Sequence, residues 1–364
     1  MKGLLGKGLE PAIQRYDGGL VVRQAEPLNL EGPFAALNAR VTATEQFYVR
    51  SHFPVPVLDA GSFRLTVGGA VEQPIELSME ELLDLPAVTR AATLECAGNG
   101  RVFLEPRAQG VQWELGAVGT AEWTGVPLDA VLRRAGLRAE AREIVLEGAD
   151  RGVTESNGTR GSEIAYARGV CVEDSERVLL ACAMNGEPLS REHGFPLRAI
   201  VPGHYAMASV KWLTRIHAAT EPFQGYFQTE DYAYWEEAAR NRVRRPLRAM
   251  MLKSSIARPA AGNVVKAGEV VMVAGAAWSG GAPVERVDLS TDGGTTWAAA
   301  EMLDPAEPGV WRRWQYAWRV PSAGEYTLLS RATDARGKVQ PLERDPRWET
   351  YVIHHVVPVV VTAR

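Results

Sequence analysis

The chain has 364 residues, 46% of them hydrophobic and 23% charged, and its 40 basic and 44 acidic side chains give a net charge of −4. That length suggests two or three domains with substantial cores, and so even a charge balance argues against a nucleic-acid-binding protein. The sequence contains no run of 18 or more apolar residues, so no transmembrane helix and no membrane insertion are expected.

The opening segment, MKGLLGKGLEPAIQRY, carries Lys2 and Lys7. It has charges and glycines where a signal peptide needs an apolar stretch, and it lacks a twin-arginine pair. A cytoplasmic protein is expected, or a periplasmic one if a leader has been removed. Residues 1–40 alternate proline, glycine and short apolar pieces and read as an extended arm. The run FRLTV from Phe63, followed by Gly68 and Gly69, reads as a strand and turn. Ser78 and Glu81 form a capping box that opens a short helix ending before Pro86. Thr93 to Glu95 reads as a strand end leading into the glycine-bearing loop Cys96–Arg101. A second helix is expected from Pro127 to Ala135, with Gly136 just past its end. Glu143–Leu146 and Leu197–Val201 are strand candidates. Residues 222–248, aromatic at first and then arginine-rich, read as a connection between domains. Beyond them the pattern is all-β: Val270–Trp278, Val284–Ser290, Trp311–Val320, Glu325–Thr333 and Tyr351–Val361 are strand-like. Short strands between regular turns suggest an immunoglobulin-like sandwich. Trp314 and Trp318, four apart on one strand face, suit its core or a dimer interface.

The three cysteines, Cys96, Cys171 and Cys182, are too few for a disulfide framework. No CxxC or CxxCH occurs, so zinc, iron–sulfur and c-type haem sites lack local support. Cys96 is the one to weigh. A cysteine is commonly a small buried hydrophobe. Here Gly98 and Gly100 would let backbone approach a ligand, and Arg101 would favour a thiolate, which is a soft metal ligand or a nucleophile. Arg50 and His52 are two apart, so in an extended segment they share a face that suits an oxyanion, or they are simply an exposed arginine and a satisfied histidine. His193, Arg198 and Lys211 surround one apolar strand and suggest a phosphate or carboxylate cradle.

Four motifs in order, FYVRSHFPVP, CAGNGR, MNGEPLSREHGFPLR and VPG…SVKWL, resemble the sulfite oxidase family of molybdopterin-dependent oxidoreductases. VERVDLSTDGGTTW resembles that family's dimerisation domain. The resemblance implies an α+β chain: an extended arm (1–40), a mixed α/β sulfite-oxidase-type molybdopterin-binding domain (41–240) and an all-β immunoglobulin-like sandwich that dimerises (241–364). It implies a molybdenum–molybdopterin cofactor with Cys96 as the thiolate ligand of the metal. Tyr48, Val49, Arg50, Ser51, His52, Asp150, His193, Arg198, Ser209, Val210 and Lys211 match positions that hold the pterin. Arg50, Arg101 and Trp113 match positions lining an anionic-substrate pocket. The implied activity is two-electron oxygen-atom transfer, sulfite to sulfate, with electrons passed to a separate acceptor such as a cytochrome. No haem is expected in the chain, since HPGG and CxxCH segments are absent. Three departures stand out: Cys182 where the resemblance places a tyrosine, Gly100 where many members carry arginine, and no clear counterpart to an arginine lent by the dimerisation domain, Tyr351 or Arg347 lying nearest. A reductase of nitrate or an S-oxide on the same cofactor, a cysteine hydrolase or transferase, and a non-enzymatic β-sandwich scaffold are the alternatives.

Overall fold

The computed structural model describes residues 10–12, 16–156, 159–238 and 241–364. Lys2 and Lys7 lie outside them, as does Arg240 of the arginine-rich run. Among the described residues no helix is long and apolar enough to cross a membrane.

The first domain is built on two five-stranded sheets. In one, Val118–Pro127 lies between Val88–Glu95 and Leu179–Met184, and Arg198–Ile200 also pairs with the last of these. All six residues of Leu179–Met184 are buried, as expected of an inner strand covered on both faces. The other sheet runs Ile75–Ser78, Arg64–Gly69, Leu213–Ala219, Glu143–Ser156, Thr159–Cys171, with one parallel pairing, between Arg64–Gly69 and Leu213–Ala219. The helix Met79–Asp84 starts at the expected capping box, with Ser78 Oγ accepting from the Glu81 amide and Glu81 accepting from the Ser78 amide. The helix Leu128–Ala135 ends at Gly136, whose φ of 70° is available to glycine without strain.

Two segments differ from the sequence-based expectation. The described part of the expected arm, residues 10–12 and 16–40, is not simply extended. Val21–Gln24 and Asn29–Glu31 form a small sheet with Val49–Arg50, because fully buried Asn29 binds the backbone beyond that strand. The presumed linker is structured as well: a π-helical turn at Phe227–Asp231 precedes a hairpin of Ala233–Ala238 and Asn241–Pro246. Its arginines are organised by an aromatic ring, Arg242 and Arg244 each lying 5.3 Å from the centre of the Trp235 ring.

The second domain is a sandwich of a four-stranded sheet (Lys253–Arg258, Val270–Trp278, Arg312–Arg319, Glu301–Met302) on a five-stranded one (Val264–Val265, Val359–Ala363, Gly324–Asp334, Val284–Ser290, Ala298–Ala299). Trp314 and Trp318 are both buried in its core. The expected strand Tyr351–Val361 is confined to Val359–Ala363. Glu349 (φ 48°) and Val352 (φ 55°) take left-handed backbone that breaks the extended run. Val352 instead packs with the first domain's core, together with Trp278, Trp311 and Trp348, so that core extends across the domain boundary.

The arm and the body meet at two glycines. A Cβ on Gly116 would sit 1.9 Å from the Gly32 carbonyl oxygen, and Glu31, next to Gly32, accepts from the Gly116 amide at 2.7 Å. Gly116→Ala is therefore expected to cost about 2 kcal/mol by overpacking, read as a lower denaturation midpoint at unchanged slope.

Candidate active site

A partly open cavity lies where the small sheet, the end of Val88–Glu95 and the segments around His193 and Lys211 converge. Its first wall is Tyr48–His52. Asn29 Oδ1 accepts from the Ser51 amide at 3.1 Å and from Arg50 at 3.2 Å, fixing both. Burial disfavours the Arg50 charge, but Tyr232, Cys96, Tyr351 and Asp231 outweigh it and hold its pKa above the ordinary arginine value. His52 Nε2 lies 2.6 Å from the Tyr232 hydroxyl, and its ring stacks on Tyr166 at 4.5 Å. Burial, then Arg50, Lys211 and Arg168, push the His52 pKa well down, so the ring is neutral. Arg50 and His52 also border an open groove lined by Arg107, Val153 and Asp231, so they stand between the cavity and solvent.

The second wall is Cys96, only 6% exposed and facing the cavity. The turn that carries it is closed by Cys96 N to the Ala117 carbonyl (2.9 Å), Asn99 N to the Cys96 carbonyl (2.9 Å) and Ala117 N to Asn99 Oδ1 (3.1 Å). Its glycines do not serve a ligand as the sequence suggested. A Cβ on Gly98 would lie 2.4 Å from the Arg101 guanidinium, which folds back over the turn, and Gly100 (φ 95°) abuts Ile353.

The third wall carries the cradle. Lys211 Nζ donates to Ser51 Oγ (3.0 Å) and to the Glu192 carbonyl (2.8 Å). Arg198 donates to the carbonyls of His193 (2.9 Å) and Ser209 (3.1 Å) and lies 4.8 Å from the Trp123 ring. Asp150 reaches the cavity because the pairing of Glu143–Ser156 with Thr159–Cys171 shifts register between Glu147 and Arg151. Burial raises the Asp150 carboxyl to about 6 against the pull of Lys211. Burial and then Arg198 lower Lys211 to about 7. Burial, Arg198 and Lys211 lower His193 to about 3, and burial lowers Arg198 to about 10. Buried Asp150 Oδ1, His193 Nε2 and Arg198 Nε have no hydrogen-bond partner within the protein.

Residues 52–227 match the oxidoreductase molybdopterin binding domain and residues 244–356 the Mo-co oxidoreductase dimerisation domain. Sulfite oxidase of Arabidopsis thaliana is 33% identical over 359 residues, covering 90% of each chain. The chain belongs to the sulfite oxidase family. Mitochondrial sulfite oxidase of Rattus norvegicus is 36% identical over 348 residues, and this chain spans 62% of that protein's length. Nitrate reductase [NADH] of Ulva prolifera is 31% identical, with 41% of its length covered. In three dimensions the chain is similar to the sulfane dehydrogenase SoxCD from Paracoccus pantotrophus, with a TM-score of 0.81, 29% identity, and 92% and 84% of the two chains covered.

The residues of this member of the sulfite oxidase family fit a molybdopterin. Its cavity presents three cations, three unpartnered buried polar atoms and one thiol, the donor set that a phosphate-bearing pterin carrying a thiophilic metal requires. Of the residues singled out from sequence, Val210, Arg101 and Trp113 do not line the cavity. Val210 is buried behind it, its carbonyl accepting from Ala199 N at 2.8 Å. Arg101 spends its donors on Thr350 (3.0 Å to Oγ1) and the Val111 carbonyl (2.8 Å), and Trp113 packs edge-on to Tyr48 at 6.5 Å.

The tyrosine departure also needs correcting. Cys182 is buried in Leu179–Met184, its thiol 3.6 Å from the Thr124 carbonyl and pushed to about 11 by burial, and it does not line the cavity. The phenol at Arg50 and Cys96 belongs to Tyr232, in the segment taken for a linker, and burial raises its pKa. Tyr351 stands behind it, its ring 4.8 Å away and its hydroxyl donating to Asp231 at 2.6 Å, whereas exposed Arg347 pairs with Asp345. Glu192, Tyr166 and Trp212 line the cavity too; the aromatic-rich run around Tyr232 was the one signal available in sequence.

His193 carries a pH consequence. Its folded pKa lies below its ordinary 6.5, so the stability tied to the neutral ring is fully present above 6.5 and lost as pH falls towards about 3. The thermal midpoint of His193→Gln should therefore fall less than that of the parent between about pH 7 and about pH 4.5; equal falls would remove His193 as a cause.

Proposed function

We propose that this chain is a molybdenum-dependent oxidoreductase that oxidises a small sulfur oxyanion, sulfite plus water giving sulfate, two protons and two electrons. The observation that carries the reading is the convergence of the Cys96 thiol, the Arg50 guanidinium and the Tyr232 phenol on one cavity with a cationic, hydrogen-bond-deficient rear wall. Bound there, molybdenum in its pterin dithiolene supplies the two-electron change in oxidation state. Cys96 ligates the metal, while Asp150, His193, Arg198, Ser209 and Lys211 hold the pterin and its phosphate. Arg50, charged and facing both the cavity and the outer groove, draws in the anion and offsets its charge. Tyr232, oriented by His52, donates a hydrogen bond to it. Arg101 acts indirectly, bracing the Cys96 turn against Thr350.

Relatives named for sulfite and for sulfane favour a sulfur substrate over nitrate. The electrons leave one at a time to a separate acceptor, and the C-terminal domain, from about residue 241, joins two copies of the chain.

Cys96→Ser should abolish turnover while leaving the thermal midpoint within a few degrees, since a hydroxyl is a poor substitute for a soft thiolate. Retained turnover refutes the assignment. Arg50→Gln should raise KM for sulfite at least about tenfold with a smaller effect on kcat. Sulfite with ferricyanide, set against nitrate and methionine sulfoxide with reduced viologen, decides the substrate: turnover confined to the latter pair replaces the sulfite reading with a reductase.

A further inference from the structure

Glu95 immediately precedes Cys96, and its carboxylate is 2% exposed. It is met by a cation from the other domain: Lys253 Nζ, equally buried, lies 2.9 Å from Glu95 Oε1. Trp278 Nε1 donates to Glu95 Oε2 at 2.8 Å, and Asn99 Nδ2 donates to Oε1 at 3.1 Å. Lys253 also donates to the Asn99 carbonyl at 3.0 Å. One side chain of the C-terminal domain thus grips the Cys96 turn at the residue before the cysteine and again three residues after it.

A second contact from that domain acts between these points. The Val352 amide donates to the Ala97 carbonyl at 2.8 Å, and Val352 holds a left-handed φ of 55° to do so, costly for a β-branched residue. Ile353 then closes over Gly100, whose Cβ would lie 3.1 Å away. The strained backbone sits where the C-terminal domain touches the turn. A buried ion pair is poor evidence of stabilisation, since desolvation offsets its attraction; fixing one geometry is a better account of this one.

We propose that Lys253, paired with Glu95, is a positioning residue for Cys96, holding the turn so that the thiol faces the cavity. The proposal rests on the reading of Cys96 as metal ligand, and deepens it. The pair also sets the local charge: removing Lys253 leaves a carboxylate uncompensated beside the ligand, removing Glu95 leaves an ammonium, and replacing both by amides restores neutrality and the hydrogen bonds.

The test uses molybdenum-loaded protein poised electrochemically with a sulfur-free redox mediator, so that it is independent of the substrate, and reads the Mo(V) paramagnetic resonance signal beside kcat, KM and thermal midpoint. Lys253→Gln and Glu95→Gln should each shift the signal and lower kcat about tenfold with KM little changed, as loss of an outer-sphere partner does. The double variant Glu95→Gln, Lys253→Gln should return the signal towards the parent's. Midpoints that fall while signal and kcat stay at parent values would mean the pair is structural only, and the proposal fails. Should the single variants not fold, Lys253→Arg keeps the charge and moves the nitrogen; a signal identical to the parent's then overturns the proposal. A Cys96→Ser signal indistinguishable from the parent's would instead sink the ligand reading itself, which separates the two failures.

Discussion

Positive charge held out of water is the constraint around which the first domain is arranged. Arg50, Arg198 and Lys211 face one buried cavity, which the carboxylate residues Asp150 and Glu192 also line. Burial and mutual repulsion push Lys211 down to about 7 and His193 to about 3, so the protein alone bears a cost that an anion would relieve. Each arginine is immobilised by carbonyls or an amide oxygen rather than by a carboxylate: Arg50 by Asn29 and Ser51, Arg198 by His193 and Ser209. Neutral acceptors fix direction without cancelling charge, which leaves the field available to a bound phosphate or oxyanion.

The C-terminal sandwich contributes more than its own core. Arg101, the residue that closes the CAGNGR motif, turns away from the cavity to Thr350 and lies 5.1 Å from the Tyr351 ring; Tyr351 in turn packs on Tyr232. The wall of the cavity that holds a phenol is therefore supported from behind by the second domain, and the Cys96 turn is gripped by Lys253 and Val352. An apolar core that takes in Trp278, Trp311 and Val352 makes the boundary between the domains a packed interior rather than a hinge.

Much of this was legible in the amino-acid sequence where local chemistry decides the outcome. The capping box at Ser78, the glycine stop at Gly136, and the strands Val270–Trp278 and Val284–Ser290 follow from nearest neighbours and periodicity. Cys96, Arg50, His52 and the His193–Lys211 cradle were readable because dense turn residues and basic groups cluster in the chain. What sequence hid was long-range. Tyr232 looks like part of a linker until the hairpin behind it is seen, and Arg101 looks like a substrate ligand until its guanidinium is traced to Thr350. The CAGNGR glycines suggest space for a ligand, but the space at Gly98 is taken by Arg101. No periodicity announces that Val352 will break its strand in order to reach Ala97.

The separation in sequence between Glu95 and Lys253, 158 residues, has a consequence for how the protein is made. During translation the turn after residue 95 lacks its opposing ammonium until the second domain has begun to appear, and lacks the Val352 amide until that residue has been made. The Cys96 turn thus reaches its full set of contacts only when both domains are present.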